Sequence, residues 1–255
     1  MTPMKRFLII LTLGFVILGT TGSSRLVKHF AEEGVEVDGV RLKHRRTVEL
    51  ELDLDDRLIY FAHVGDIRIR PTNGNQAILH IELVEYRPDD GEAYLDRDGK
   101  IRTRSQSDHP CVLGPLIAEI PRGLNLELGS GVGDIEIEGM DGSRKIVIET
   151  GMGDIVLEDL RNIISIDAET GMGEILLGPA KNLEEVDLAT GMGSIKVRGV
   201  EAEVLDAATG MGGIRFNDCI FDRLYAETGM GSIKLKDTVY EDSDLDTGMG
   251  SVKYH

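Results

Sequence analysis

The chain has 255 residues, 31 of them glycine, and a formal net charge of −17 at pH 7. This length allows one or two domains. The acidic excess argues against general nucleic-acid binding, because the phosphate backbone attracts basic proteins. It favours solubility and does not by itself indicate a fold.

The N-terminus, residues 1–24, has the features of a secretory signal peptide. Lys5 and Arg6 precede an apolar run of 12 residues, 7–18, and a small polar stretch follows it. The run is shorter than the ~20 residues that a membrane-spanning helix needs. We therefore predict an exported protein, in the periplasm or at the cell surface, with this segment either cleaved or retained as an anchor. Cleavage removes two positive charges and no negative ones, which changes the net charge from −17 to −19.

The next part of the chain predicts β-structure without a regular period. Residues 25–45 are interpreted as a lead-in or cap, and residues 46–126 as irregular β coils. Apolar and polar residues alternate at 47–53 and 77–86, as in strands with one buried face. The tetrapeptide Val64-Gly65-Asp66-Ile67 looks like a degenerate copy of the repeat that fills the rest of the chain.

Residues 127–255 contain seven copies of a repeat whose common form is Thr-Gly-Met-Gly-x-Ile. The first copy begins at Ser130 and has Val132 in place of methionine. A strict period of this length is typical of a solenoid. The leading glycines are spaced 20, 20, 20, 19, 19 and 19 residues apart, at Gly131, Gly151, Gly171, Gly191, Gly210, Gly229 and Gly248.

Each period has one short alternating run before its glycines and another after them, which leaves no room for a helix. We predict an all-β protein whose regular part is a parallel β-helix, or solenoid, with 19–20-residue coils and two strands per coil. The glycine pair is expected at the corner between the two sheets, where a Cβ is costly. The threonine is predicted to point inward, with hydroxyl hydrogen bonds along the stack.

The interior is predicted from the same alternation. The residues two positions before each threonine are apolar, and so are Ile155 and Leu157 and their equivalents after the glycines. Methionine is also predicted to point inward, because a flexible thioether fills an irregular corner well. This column contains Met152, Met172, Met192, Met211, Met230 and Met249.

Two cysteines, Cys111 and Cys219, raise the question of a disulfide in an exported protein. If Cys111 lies one period before Gly131, about five coils separate the thiols, or ~24 Å at the usual strand spacing. A disulfide needs Cα atoms within about 7 Å. Two unpaired thiols are therefore predicted.

The outward positions are charged, with opposite signs on the two sides of the glycines. After the glycines, the central outward position is basic in the last four coils, at Lys196, Arg215, Lys234 and Lys253. This column is our candidate site for an anionic polymer or a lipid headgroup. The alternative is that each side chain is solvated or paired with a lateral acid such as Asp237. The outward positions before the glycines are acidic, at Asp167, Glu169, Asp187, Asp206, Glu227, Asp244 and Asp246.

The junction into the repeat resembles a known family. An apolar strand ends in Pro121-Arg122-Gly123, and a second strand leads into Ser130-Gly131-Val132-Gly133-Asp134-Ile135. This combination resembles the bacterial "putative adhesin" β-strand-repeat family, a group that includes Toastrack-like envelope domains, over residues 46–255. The resemblance implies a right-handed β-solenoid outside the cytoplasm, associated with the cell envelope or with envelope stress. It implies no catalytic residues.

The residues argue against four other chemistries. Gly-Met-Gly-Asp is reminiscent of calcium β-rolls, but the acid is absent from the last four copies. Thioethers suit copper(I), but an inward methionine beside isoleucine and leucine is usually core. A glycan-cleaving β-helix enzyme needs clustered acids and aromatic platforms, whereas this chain has no tryptophan. Ice binding needs outward threonine ranks, and this threonine is predicted inward.

The sequence therefore predicts a non-enzymatic, exported β-solenoid that is an interaction, scaffold or adhesin-like module of the bacterial envelope. No cofactor, metal or catalytic residue is assigned. The expected partner is an envelope protein, a glycan or an anionic lipid surface, and not a nucleic acid. The alternative is a structural protein that self-assembles end to end through its C-terminal coil. A carbohydrate-active enzyme is a third and less favoured hypothesis.

Overall fold

The computed structural model describes residues 34–254, so the predicted signal peptide or anchor, residues 1–24, lies outside the described residues. Within residues 34–254 the regular secondary structure consists of β-strands and includes no helix. Over the same range, no helix is long and apolar enough to cross a membrane.

The N-terminal region, residues 34–124, is mainly antiparallel. Strand β1 pairs with β2, β3 with β6, β6 with β9, and β7 with β8, all in antiparallel register. Of the irregular coils expected at 46–126, the segment of β4 and β5 pairs in parallel with the repeat array and β9 pairs in parallel with β5, whereas the other strand pairs are antiparallel. The strands are β1 (Val35–Val37), β2 (Val40–Leu42), β3 (His44–Leu52), β4 (Arg57–Ala62), β5 (Ile67–Pro71), β6 (Ala77–Glu85), β7 (Gly91–Leu95), β8 (Ile101–Ser105) and β9 (Cys111–Ile120).

The repeat array, residues 125–254, is a stack of parallel coils, which confirms the predicted β-solenoid. Equivalent residues of successive copies align, so that Thr150 is opposite Thr170 and Met152 opposite Met172. The strands are β10 (Asn125–Val132), β11 (Ile135–Glu138), β12 (Lys145–Met152), β13 (Ile155–Met172), β14 (Ile175–Met192), β15 (Ile195–Arg198), β16 (Val200–Met211), β17 (Ile214–Asn217), β18 (Ile220–Met230), β19 (Ile233–Lys236), β20 (Val239–Met249) and β21 (Val252–Tyr254).

The degenerate copy at residues 64–67 forms the coil next to the first true repeat. Ala62 in β4 aligns with Ser130 in β10, and Ile67 in β5 aligns with Ile135 in β11. The chain between these two coils, residues 72–124, contains strands β6 to β9, of which β9 returns to pair with β5. These two coils are therefore neighbours in the stack, although this insertion separates them in the sequence.

The predicted interior columns are buried. Before the glycines, Ile148, Ala168 and their equivalents through Ala226 are at most 3% exposed, and Leu245 is partly buried in the last coil. After the glycines, Ile155, Leu157 and their equivalents through Leu235 are also at most 3% exposed. One continuous hydrophobic core results, which runs from β4 in the N-terminal region to β19.

The corner between the two strands of a coil requires glycine. Gly153 has a φ of 152°, and a Cβ there would lie 2.1 Å from the carbonyl oxygen of Gly133 in the preceding coil. The inward threonine is buried as predicted, and its hydroxyl donates to that same column of carbonyls. Thr150 Oγ1 donates to the Gly133 oxygen at 3.0 Å, and Thr170 Oγ1 to the Gly153 oxygen at 2.9 Å.

The connection from one coil to the next is itself extended and partly buried. Strand β13 continues through residues 155–172, and within the connection the side chains of Leu160 and Ile163 are at most 1% exposed. The bends at Asp159 and Asn162 have φ values of 54° and 51°, a left-handed conformation that Asp and Asn tolerate better than most residues.

The change of period from 20 to 19 residues has a single structural origin. Ala180 pairs with Val200, but Leu183 pairs with Ala202, so β14 has one more residue than β16 at this point. The extra residue is Asn182, which has a φ of 56° and donates from Nδ2 to Oδ1 of Asn162 at 2.9 Å. Asn182 is the equivalent of Asn162, so later coils omit this second bend, and the buried columns on both sides keep their register.

Both cysteines are free and buried, in agreement with the prediction. The assumed register of Cys111 was wrong, because β9 pairs with β5 and β6 and does not form the coil before Gly131. Burial raises the pKa of the Cys111 thiol to about 11, and burial also raises the pKa of Cys219. Both groups are therefore protonated and unreactive at neutral pH.

Candidate interaction faces

The four basic residues singled out in the sequence form one column on the surface of the repeat array. Lys196 aligns with Arg215, Arg215 with Lys234, and Lys234 with Lys253. Each lies in a short strand between two inward residues, as Lys196 lies between the buried Ile195 and Val197. Adjacent members are therefore separated by the strand spacing of ~4.8 Å at the backbone.

The pairing of this column differs from the lateral pairing considered in the sequence analysis. Lys196 Nζ lies 2.6 Å from Glu174 Oε1 of the preceding coil. Asp237 contacts Lys236 Nζ at 3.8 Å, and no contact with the column is seen. Within residues 34–254, no carboxylate forms an ion pair with Arg215, Lys234 or Lys253.

A second basic column, which the sequence analysis missed, lies beside the first. Arg198 aligns with Asn217, and Asn217 with Lys236. These residues are two positions after Lys196, Arg215 and Lys234, so they project from the same side of the strands. The same alternation of inward and outward residues could have located this column, because it lies two positions beyond the first. We call the combined surface the basic face, formed by Lys196, Arg198, Arg215, Lys234, Lys236 and Lys253.

The basic face is confined to the C-terminal coils. In the earlier coils the central outward position holds Glu136, Val156 and Leu176, each aligned with the next along the stack. In the N-terminal coil the equivalent residue is Arg68, and its Nε lies 3.2 Å from Glu136 Oε2. Positive charge there is neutralised within the solenoid itself.

The strands before the glycines form an acidic face on the other sheet. Asp167, Asp187 and Asp206 align in successive coils, next to a column that contains Glu149 and Glu169. Burial raises the pKa of Glu149, and the charges of Glu169, Asp167 and Glu127 raise it further. Burial, followed by the charge of Glu227, raises the pKa of Asp206. Like charges stacked along parallel strands thus oppose one another on this face.

The glycines of the repeat allow neighbouring backbones to approach closely at the corner, as predicted, but the methionines do not fill the core. Met172, Met192, Met211, Met230 and Met249 are between 37% and 66% exposed, and Met152 is half-buried. Simple alternation from the inward threonine placed the methionine inward. The corner instead turns the chain between threonine and isoleucine, so the period-two rule does not hold across it.

The acidic residue after the glycines has a structural role at the corner of the coil. The Asp154 amide donates to Asp134 Oδ1 at 2.8 Å, and the Glu174 amide donates to Asp154 Oδ1 at 2.7 Å. These carboxylates therefore accept backbone hydrogen bonds between coils. Within the described residues, no three His, Cys, Asp or Glu side chains converge in a metal-binding group.

A polar depression of about 640 Å³ lies at the N-terminal end of the array. Its charges are balanced, since Arg70 contacts Glu138 at 3.4 Å and Arg161 contacts Asp159 at 3.1 Å. The lining residues are Arg70, Pro71, Arg122, Glu138, Gly139, Asp141, Asp159 and Arg161.

Comparison with known proteins places this solenoid in a family. The family model described as Toastrack DUF4097 matches residues 47–255, which include the complete repeat array. The chain belongs to the Toastrack DUF4097 family. Among proteins with curated functions, none matches the chain.

Two crystal structures have a fold similar to that of this chain. One is a "putative adhesin" from Bacteroides fragilis NCTC 9343, with a TM-score of 0.54 and 16% identity, over 82% of this chain and 97% of that chain. The other is a "putative adhesin" from Parabacteroides distasonis ATCC 8503, with a TM-score of 0.50 and 12% identity, over 82% and 97% of the two chains. At these identities the likeness shows the fold alone.

Proposed function

We propose that this Toastrack protein is an exported, non-enzymatic interaction module of the bacterial envelope and that its basic face binds an anionic glycan. The observation that carries the proposal is the alignment of Lys196, Arg215, Lys234 and Lys253 in one column on a regular stack. A column repeating at ~4.8 Å presents positive charge along a line, which matches an extended polyanion.

The lack of ion pairs on the basic face supports binding of an anionic ligand there. The equivalent position of the N-terminal coil is already paired. Within the described residues, Arg215, Lys234 and Lys253 have no carboxylate partner, whereas Arg68 is paired with Glu136. Like charges at this spacing repel one another. Binding of a polyanion removes that repulsion, and the acidic face on the other sheet discourages binding in the wrong orientation.

Export and the adhesin-like role rest on different observations. The apolar run at residues 7–18, preceded by Lys5 and Arg6, supports export. The adhesin-like role is supported by the Toastrack family match and by relatives described as "putative adhesin". A non-enzymatic role is proposed because the repeat array has a regular charged surface, and because no acid and base are paired in a cleft within residues 34–254.

Charge reversal of the basic face tests the proposal. The variant Arg215→Glu, Lys234→Glu and Lys253→Glu is compared with Lys145→Glu, Lys181→Glu and Arg223→Glu, which changes the net charge equally outside the basic face. Retention on immobilised alginate, a polyuronate, is measured at increasing salt, because salt weakens charge–charge attraction.

We expect the wild type and the control variant to be retained at low salt, and the basic-face variant to elute without retention. Equal retention of the two variants would overturn the proposed role of the face. Binding of the wild type to anionic lipid vesicles, with none to alginate, would replace the glycan by a membrane surface.

Protease treatment of intact cells tests the proposed location. Digestion in intact cells, with a periplasmic control protein protected, would place the solenoid on the cell surface. Protection until the outer envelope is opened would place it in the periplasm. Protection in spheroplasts would refute export.

End-to-end self-association is a second candidate, favoured by one feature of the last coil. Val239 and Tyr254 are each 64% exposed there and line a depression of about 340 Å³. Sedimentation velocity across a range of concentrations tests this candidate, with Val239→Ser and Tyr254→Ser as the variant. Species that grow with concentration and disappear in the variant would support it, and a constant sedimentation coefficient would refute it.

A further inference from the structure

The exposed methionines form a continuous row along one edge of the solenoid. Met152 aligns with Met172, and the alignment continues one coil at a time through Met249. Their side chains leave the corner where the two strands of each coil meet. We call this set, Met152, Met172, Met192, Met211, Met230 and Met249, the methionine row.

Each thioether in the row is open to approach from the sides. The residues before and after every methionine are glycines, so the two adjacent residues have no side chain that could cover the sulfur. These glycines cannot be replaced by larger residues, since a Cβ at Gly171 would lie 2.6 Å from the Gly151 carbonyl oxygen. The fold thus keeps a bare strip on each side of the row.

The fold accounts for the other constant positions of the repeat but not for methionine. Threonine is buried and bonded to a carbonyl, the glycines avoid a clash, and isoleucine is in the core. Exposed columns have otherwise diverged between coils. The position after the second glycine changes from acid to serine and glycine, and the central outward position changes from Val156 and Leu176 to Lys196. Among the repeat residues that carry a side chain, within the described part of the chain, only methionine is exposed or half-buried and yet the same in six coils.

Thioethers are neutral, soft ligands, and among common metals they suit copper(I). Aligned methionines start ~4.8 Å apart at the backbone, and three rotatable bonds allow neighbouring sulfurs to converge on one ion. One acid, Asp154, lies two residues after Met152, and its negative charge favours a cation nearby.

We propose that the methionine row binds copper(I), with each ion held by the thioethers of two or three consecutive coils. Six sulfurs then accommodate two or three ions per chain. Thioethers are neutral, so no ligand atom of the proposed site carries a charge. Ligation by sulfur predicts selectivity for copper(I) and silver(I) over calcium and zinc.

The test removes the competing thiols first, because soft ions bind cysteine strongly. The full chain with Cys111→Ala and Cys219→Ala carries methyl-labelled methionine and is titrated with silver(I), a redox-inert analogue of copper(I). Methyl NMR spectra report each methionine, and a competition titration with copper(I) and a chromogenic chelator reports the stoichiometry.

We expect the resonances of the methionine row to shift and saturate at two to three equivalents, while that of the buried Met140 stays fixed. The variant Met172→Leu, Met192→Leu, Met211→Leu and Met230→Leu should lose at least half of the bound metal and keep its circular dichroism spectrum. The matched variant Met140→Leu should bind as the parent does.

Two results would overturn the proposal. One is the absence of saturable silver(I) shifts in the row. The other is unchanged copper(I) stoichiometry in the four-leucine variant. Leucine preserves apolar surface, so a row that serves only as an apolar contact would give both of these results.

Discussion

The N-terminal region and the repeat array satisfy their buried polar groups in different ways. In the array, one hydrogen bond from threonine to a glycine carbonyl recurs in coil after coil. In the N-terminal region, a single buried carboxylate accepts several hydrogen bonds at one place. Glu85 is 1% exposed and lies 3.0 Å from Arg46.

This difference indicates how each region tolerates change. An array of coils distributes its stability over many equivalent contacts between neighbours, so one weakened coil is supported by the coils on either side. The antiparallel region depends on contacts that occur once, between strands distant in sequence. Substitutions that remove a repeated contact of the array or a single contact of the N-terminal region test this comparison.

The largest effect is expected from a Cβ at the repeat corner. Gly153→Ala brings a methyl group within 2.1 Å of the Gly133 carbonyl oxygen, at a φ of 152°. We expect a loss of about 3–5 kcal/mol from overpacking and backbone strain. Denaturant unfolding measures the loss, and hydrogen exchange should place it in the coils next to residue 153.

The control for that substitution is Gly123→Ala. Gly123 also has a positive φ, 83°, but no atom lies within 4 Å of the position of its Cβ. Only the conformational cost of about 1–2 kcal/mol should remain. Equal losses for the two variants would show that contact between coils is not what requires glycine at the corner.

A smaller but still large effect is expected at Glu85 in the N-terminal region. Its carboxylate accepts from the amides of Asp89 and Gly91 at 3.1 and 2.9 Å, in addition to the contact with Arg46. Glu85→Leu leaves these donors without their acceptor. We expect a loss of about 2–4 kcal/mol, below the full value for a buried pair because Arg46 is 35% exposed.

Hydrogen exchange should show the effect of Glu85→Leu in β3, β6 and β9, with the distant coils of the array unchanged. Glu136→Leu is the matched control, because its pair with Arg68 is exposed and worth at most about 1 kcal/mol. A uniform loss of protection along the whole array would refute the distinction between the two regions.

A moderate effect is expected from shortening one 20-residue coil. Deletion of Asn182 removes the residue that distinguishes β14 from β16 and costs its bond to Asn162. We expect a loss of about 1 kcal/mol, since coils of 19 residues already stack in this chain. Deletion of Leu188 should cost several times more than deletion of Asn182, because a slip of one residue in a strand exchanges its two faces. Thermal unfolding distinguishes these outcomes.

The smallest effect is expected on the acidic face. Because the pKa of Glu149 is raised in the folded protein, its ionised form destabilises the fold at neutral pH. Glu149→Gln should stabilise the protein at pH 7 by a few tenths of a kcal/mol, since solvent screens this exposed group. The gain should vanish as the pH falls through the raised pKa. Glu138→Gln, which removes a partner of Arg70, should give no gain, and a stabilisation there would contradict this explanation.

The sequence by itself determined the solenoid, its period and its buried columns. Strict repetition of alternating residues around a glycine pair leaves only one way to bury every apolar face, which is to stack the coils. The basic column followed from the same alternation, and the register of Lys196 with Arg215 confirms the alignment on which it depends. Local rules sufficed because each coil contacts mainly its neighbours.

Tertiary structure decided what local alternation does not encode. The corner turns Met172 outward although Thr170 and Ile175 point inward, because the backbone changes direction between them. The insertion at residues 72–124 separates β5 from β11, which nevertheless pair in register. Such contacts depend on which distant strands meet, and a period read along the chain carries no information about that choice.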